Sequence, residues 1–140
     1  MSSTRATAPS GPAAVILSVP AEAESLSLVR QAVTGVAETL GMSADARDDL
    51  RIAVTEAATN VVVHAYPDRP GVLRVEVWPD TDTMVIHVTD HGCGIVPRVE
   101  RVSPGLGLGI QLIAALSEEM SITANDDGSG TRVGMTFRIG

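Results

Sequence analysis

Along residues 24–40 the apolar side chains Leu28, Val29, Ala32, Val33, Val36, Ala37 and Leu40 recur at steps of three and four. That spacing predicts an amphipathic helix, which Gly41 closes. Ser43 then offers an N-cap, with Asp45, Asp48 and Asp49 where a helix dipole favours negative charge. The second helix runs to about residue 65, and its later half is apolar nearly all round: Leu50, Ile52, Ala53, Val54, Ala57, Ala58, Val61, Val62 and Val63. Such a pattern predicts a central, buried helix.

Beyond the turn at residues 67–71 the period changes to two. Leu73, Val75 and Val77 alternate with Arg74, Glu76 and Trp78, and Met84, Ile86 and Val88 repeat the alternation after a connection short enough for a hairpin. A glycine-rich segment leads into an apolar helix at about residues 106–116. Strands near 121–124 and 131–139 follow, separated by a turn at 125–130. The apolar run at 13–19 reads as a first strand, far short of the roughly 20 residues a membrane span needs. Residues 1–12 are small and polar and read as a tail before one domain at 13–140. The order of strand, two helices, two strands, helix and two strands predicts an α/β two-layer sandwich, with a mostly antiparallel, mixed sheet and helices on one face. A doubly wound parallel sheet fits the adjacent hairpins less well.

Composition narrows the function. Net charge is −7 and no basic stripe is interleaved with aromatics, so direct nucleic-acid binding is not expected. All ten basic residues are Arg. A nucleotide bound here is therefore not held by a Walker A lysine or a kinase strand lysine. The single Cys93 excludes an internal disulfide and fits a reducing compartment.

Four groups of residues carry candidate chemistry. Glu56, Asn60 and His64 interrupt the apolar helix at steps of four and so share one face. They could meet solvent or satisfy loop backbone groups, or Glu56 and Asn60 could polarise a hydroxyl and hold a metal ion. In Asp90-His91-Gly92-Cys93-Gly94, Asp90 has the parity of Met84, Ile86 and Val88 and enters the core side as its strand ends. Its acceptor-only carboxylate suits an adenine amine, and Gly92 and Gly94 let the backbone pass close to a flat ring, although an aspartate followed by glycines also makes a plain turn. Gly105-Leu106-Gly107-Leu108-Gly109 opens a helix, where exposed N–H groups form an anion site or a loop packs tightly on the sheet. Gly130-Thr131 starts the last strand, with Thr131 on the same side as Asp90. Cys93 reads as a packing residue and His64 as a helix-ending one.

The order and type of these groups resemble the GHKL superfamily of ATPases and kinases. Glu56-Ala57-Ala58-Thr59-Asn60 resembles its N box, Asp90-x-Gly92-x-Gly94 its first glycine box, Gly105-x-Gly107 with Gly109 its second, and Gly130-Thr131 its final motif. Spacing is most similar to the anti-sigma-factor serine/threonine kinases. The resemblance implies ATP or ADP with Mg²⁺ as cofactors, Asn60 holding the metal, Asp90 reading adenine with support from Thr131, and Gly105, Gly107 and Gly109 cradling phosphates. It assigns Glu56 as general base. It further implies a cytoplasmic homodimer that sequesters a sigma factor and phosphorylates a serine or threonine on an antagonist protein, with neither nucleic acid nor membrane as partner. Kinase members carry an arginine just before the second glycine box, where this chain has Ser103-Pro104. A non-catalytic nucleotide-dependent partner switch is the alternative that this departure favours.

Overall fold

The computed structural model describes residues 9, 11–93 and 104–140. Its elements are β1 (Val15–Pro20), α1 (Ser25–Thr39), α2 (Ala44–Asn60), a π-helical turn (Val61–Ala65), β2 (Val72–Pro79), β3 (Thr83–Asp90), α3 (Pro104–Leu116), β4 (Glu119–Ala124) and β5 (Thr131–Arg138). The strands form one sheet in the order β1-β2-β3-β5-β4. All four pairings are antiparallel. The crossover through α3 does bring β4 parallel to β3, but β5 inserts between them, so the two parallel strands never pair.

Local chemistry accounts for the helix ends. Gly41 adopts φ +86° after α1, and its N–H donates to the Glu38 carbonyl while that of Met42 donates to Ala37. These are the two bonds of a Schellman stop, and the left-handed position suits glycine. The Ser43 side chain accepts from the Ala46 amide at 3.2 Å and starts α2. Pro104 opens α3, where a missing N–H costs nothing. The helix therefore begins two residues earlier than the apolar pattern suggests, and Gly105 joins Gly107 and Gly109 inside its first turns.

Helices α1, α2 and α3 pack on one face of the sheet. Val29, Val33 and Ala37 of α1, Leu50, Ala53, Val54, Ala57 and Ala58 of α2 and Ile113 of α3 meet Leu73, Val75, Val77, Met84, Ile86, Val88, Val133 and Met135. Every strand residue in that set has the parity its alternation assigns to the core. No helix among the described residues is long and apolar enough to cross a membrane.

The burial of α2 makes a contrast that can be measured. Leu50 is fully buried, whereas Ile52, also in the apolar run, is 42% exposed. Leu50→Ala is expected to cost about 2–5 kcal/mol, through lost apolar burial and a residual cavity. Ile52→Ala is expected to stay within about 1 kcal/mol of the parent. Urea unfolding of both variants checks the orientation of α2; equal losses would contradict it.

Candidate functional site

The site is built where α2 ends, β3 ends and α3 begins. Asn60 closes α2 and is 5% exposed; Glu56, one turn earlier, is half-buried. α3 crosses this face closely at Gly109, where a Cβ would stand 2.9 Å from Glu56 Oε1 and 3.6 and 3.7 Å from the Asn60 amide nitrogen and oxygen. A side chain at this position would have to push the Glu56 carboxylate aside, whereas glycine leaves it in place against the α3 backbone. Asn60 Nδ2 is buried with no hydrogen-bond partner among the described residues.

The carbonyls at the end of the π-helical turn have no partner within the helix. Cys93 supplies both: its N–H donates to the Ala65 carbonyl at 2.9 Å and its Sγ to that of His64 at 3.3 Å. Cys93 thus caps the helix, a role its sequence context did not reveal. Gly92 presses against the same Ala65 carbonyl, leaving no room for a Cβ. The end of β3 is in this way drawn under the end of α2.

Asp90, the last residue of β3, is 0% exposed. Its Oδ1 accepts from the Gly92 amide at 2.9 Å, while Oδ2 is buried with no hydrogen-bond partner among the described residues. Burial pushes the carboxyl above the usual aspartate range; the Gly92 amide, the charge of His91 and the Thr131 amide act in the opposite direction. Thr131, also buried, is the residue opposite Asp90 in the β3–β5 register.

Tyr66 and Asn125, neither singled out by the sequence patterns, hold this corner together. The Tyr66 hydroxyl donates to the Val72 carbonyl at 2.7 Å and accepts from the His91 amide at 2.8 Å. Its ring fills the space above Gly71, where any Cβ would collide. Asn125 is 7% exposed, and its Nδ2 donates to the Asp90 carbonyl at 2.8 Å and the Ser129 carbonyl at 2.7 Å.

Glu56, Asn60 and Gly109 are therefore in one place, and Asp90, Gly92 and Thr131 in an adjoining one, joined through the α2 terminus. Gly105 and Gly107 lie in the first turn of α3, whose N–H groups at 105 and 106 have no acceptor within the helix. Gly94, Ser103, Arg98 and Arg101 fall outside the described residues. On the outer side of Glu56, a cleft of about 410 Å³ is lined by Arg30, Arg51, Ile52, Thr55 and Glu56 itself. The described residues hold no cluster of three or more His, Cys, Asp or Glu able to bind a metal by themselves.

The orphaned atoms allow a test of whether a nucleotide and its metal fit. Asp90 Oδ2 needs a donor, which an adenine amine is. Free N–H groups at the start of α3 suit phosphate oxygens. The Asn60 carboxamide offers a neutral oxygen ligand of the kind Mg²⁺ accepts alongside phosphates and water. The residues present fit Mg·ATP.

A two-layer fold with these groups in this order has the makings of a nucleotide-binding domain, and comparison with known proteins gives its family. Residues 19–137 match the histidine kinase-like ATPase domain, and the chain belongs to that family. It is 35% identical to the Serine-protein kinase RsbW of Bacillus velezensis, over 86% of this chain and 82% of that protein. It is also 35% identical to the protein of the same name from Halalkalibacterium halodurans, over 89% and 83%, and 32% identical to that of Bacillus mycoides, over 80% and 78%.

Burying Asp90 has a consequence for stability. Because its folded pKa lies above the ordinary value of 3.8, the folded state holds the proton more tightly than the unfolded one. The stability this gives is present below the ordinary value and lost as pH rises through the folded pKa. Asp90→Asn is therefore expected to gain stability relative to the parent as pH is raised from about 4 to 7. The same variant should bind ADP roughly tenfold to a hundredfold more weakly, by losing a hydrogen bond to a charged acceptor. Unfolding curves across pH and calorimetric ADP titration check the pair; a pH-independent stability difference would contradict the first half.

Proposed function

We propose that this chain is a serine/threonine protein kinase and anti-sigma regulator that binds Mg·ATP, sequesters a sigma factor, and phosphorylates a serine or threonine on an antagonist protein. The observation that carries this reading is the close approach of Gly109 to Glu56 and Asn60. It sets a carboxylate able to take a proton beside a carboxamide able to hold a metal, both on α2, against α3, the helix that starts with free N–H groups.

In this reading Asp90 accepts from the adenine amine, with Gly92, Gly94 and Thr131 beside the ring, and the start of α3 at Gly105 and Gly107 holds phosphate oxygens. Asn60 holds the Mg²⁺, which when bound neutralises charge on the phosphates. Glu56 takes the proton of the acceptor hydroxyl as that oxygen bonds to the γ-phosphorus and the bond to the bridging oxygen of ADP breaks. The cleft outside Glu56 gives the acceptor side chain a way in, and Arg30 and Arg51 there supply positive charge near the developing phosphoryl charge. They offer a cation that the Ser103-Pro104 stretch lacks. The protein acts in the cytoplasm as a homodimer. β1 lies at one edge of the sheet with Ile16 55% exposed, and a second copy would cover its unpaired backbone groups.

Glu56→Gln is expected to keep Mg·ATP affinity while slowing phosphoryl transfer by roughly a hundredfold to ten-thousandfold. Asn60→Ala is expected instead to lose the Mg²⁺ dependence of nucleotide binding. ATP titrations with and without Mg²⁺, beside transfer to the antagonist recovered with the protein from its native cell, separate the two. Transfer by Glu56→Gln at the parent rate overturns the base assignment. A parent that binds ATP and transfers nothing to a verified antagonist is a partner switch and not a kinase.

A further inference from the structure

Asn125 stands immediately after β4, at the point where β3, β5 and β4 end together: Asp90 is opposite Thr131, and Thr131 is opposite Ala124. One nitrogen of its side chain meets two backbone carbonyls, Asp90 at 2.8 Å and Ser129 at 2.7 Å. The turn that carries it is shaped by its own bonds, Gly128 N–H to the Asn125 carbonyl at 2.8 Å and Ser129 N–H and Oγ to Asp127 Oδ1 at 2.9 and 2.7 Å. Gly130, at φ +61°, packs against the same Asp90 carbonyl with no room for a Cβ. The Asp90 backbone is thus fixed from the turn side by a donor and a close contact.

Two carbonyls are both acceptors and cannot satisfy one another. Bridging them takes two N–H groups on one atom, at the end of a side chain short enough to stay within the turn. An asparagine carboxamide provides this; aspartate has the same shape and no donor, and serine has a single O–H. The same carboxamide oxygen, Oδ1, is buried without a partner, so burial here is not favourable for the amide as a whole. What the residue gains is the fixed separation between the Asp90 backbone and the segment entering Thr131.

We propose that Asn125 is a positioning residue for adenine recognition: it sets nucleotide-base specificity by clamping Asp90 and the Ser129-to-Thr131 segment in register. The proposal rests on the reading of Asp90 as the adenine acceptor. It acts through Asp90 alone, and the phosphate-binding end of the site at α3 is independent of it.

The experiment compares ATP with inosine triphosphate, which carries an acceptor oxygen in place of the adenine amine, and uses Mg·tripolyphosphate as a probe with no base. In Asn125→Asp, which fills the same space without donors, the preference for ATP over inosine triphosphate is expected to fall roughly fivefold to tenfold, about the worth of one loosened hydrogen bond. Tripolyphosphate affinity should stay within about twofold of the parent. Asn125→Ser, with one donor, should fall between, and serves as well if the aspartate variant does not fold. In an Asp90→Asn background, the further loss from Asn125→Asp should vanish, since coupled residues are not additive. A parent-like base preference in a folded Asn125→Asp variant, or an undiminished loss in the Asp90→Asn background, overturns the proposal while leaving adenine reading by Asp90 intact. A parent protein that binds the two triphosphates equally overturns the reading of Asp90, and the proposal with it.

Discussion

The hydrogen bond from the Cys93 amide to the Ala65 carbonyl joins the two halves of the site. A buried helix end leaves carbonyls that must be paired, and the nearest donor in this fold is the backbone just past β3. Meeting that need draws Gly92 against Ala65 and brings the end of β3, where Asp90 stands, under the end of the helix that carries Glu56 and Asn60. The π-helical turn at Val61–Ala65 belongs to the same junction. Wide turns of this kind occur often at functional sites, and here one ends the helix directly over the end of β3.

Around that junction the protein carries polar atoms that a core chosen for stability would avoid. Asp90 Oδ2 and Asn60 Nδ2 are both buried and unpaired among the described residues. An unmet buried donor or acceptor costs on the order of 1–3 kcal/mol, a sizeable share of a small domain's net stability. The helical and strand residues next to them, such as Ala57, Ala58, Val88 and Val133, are apolar and buried. Thr89 Oγ1 and Asn125 Oδ1 beside this corner, and Arg47 Nε at the other end of α2, are likewise buried without a partner among the described residues. A ligand with a donor at one end and metal-bound phosphates at the other resolves Asp90 Oδ2 and Asn60 Nδ2. The tight fit of Gly92, Gly109 and Gly130, where a Cβ would meet Ala65, Glu56 and Asp90 respectively, leaves few alternative packings of this corner.

Much of this was legible in the sequence because periodicity survives folding. The alternation of Met84, Ile86 and Val88 places Asp90 on the core side, and the steps of four from Glu56 to Asn60 place both on one helix face, as found. The start of the third helix was less legible: glycine disfavours helix interiors and the apolar pattern gives a start near residue 106, whereas Pro104 begins the helix ahead of Gly105. Tyr66 and Asn125 gave no local signal. The Tyr66 hydroxyl reaches Val72 and His91, and the Asn125 carboxamide reaches Asp90, thirty-five positions away, so their partners exist only once the sheet has formed. Asn125 followed by two aspartates and a glycine has the composition of a turn, which it also is.

In the function proposed above, the unpaired groups at the α2–β3 junction meet a nucleotide. The most direct test is a titration of isotope-labelled protein with Mg·ADP, following backbone amide and asparagine side-chain resonances. Progressive, saturable shifts are expected of the Gly92, Gly109 and Thr131 amides and of the Asn60 carboxamide, with Glu76 and Thr136 on the opposite face of the sheet little changed. A saturating titration that leaves Gly92, Thr131 and Asn60 unmoved, or that shifts only the outer face of the sheet, would contradict it.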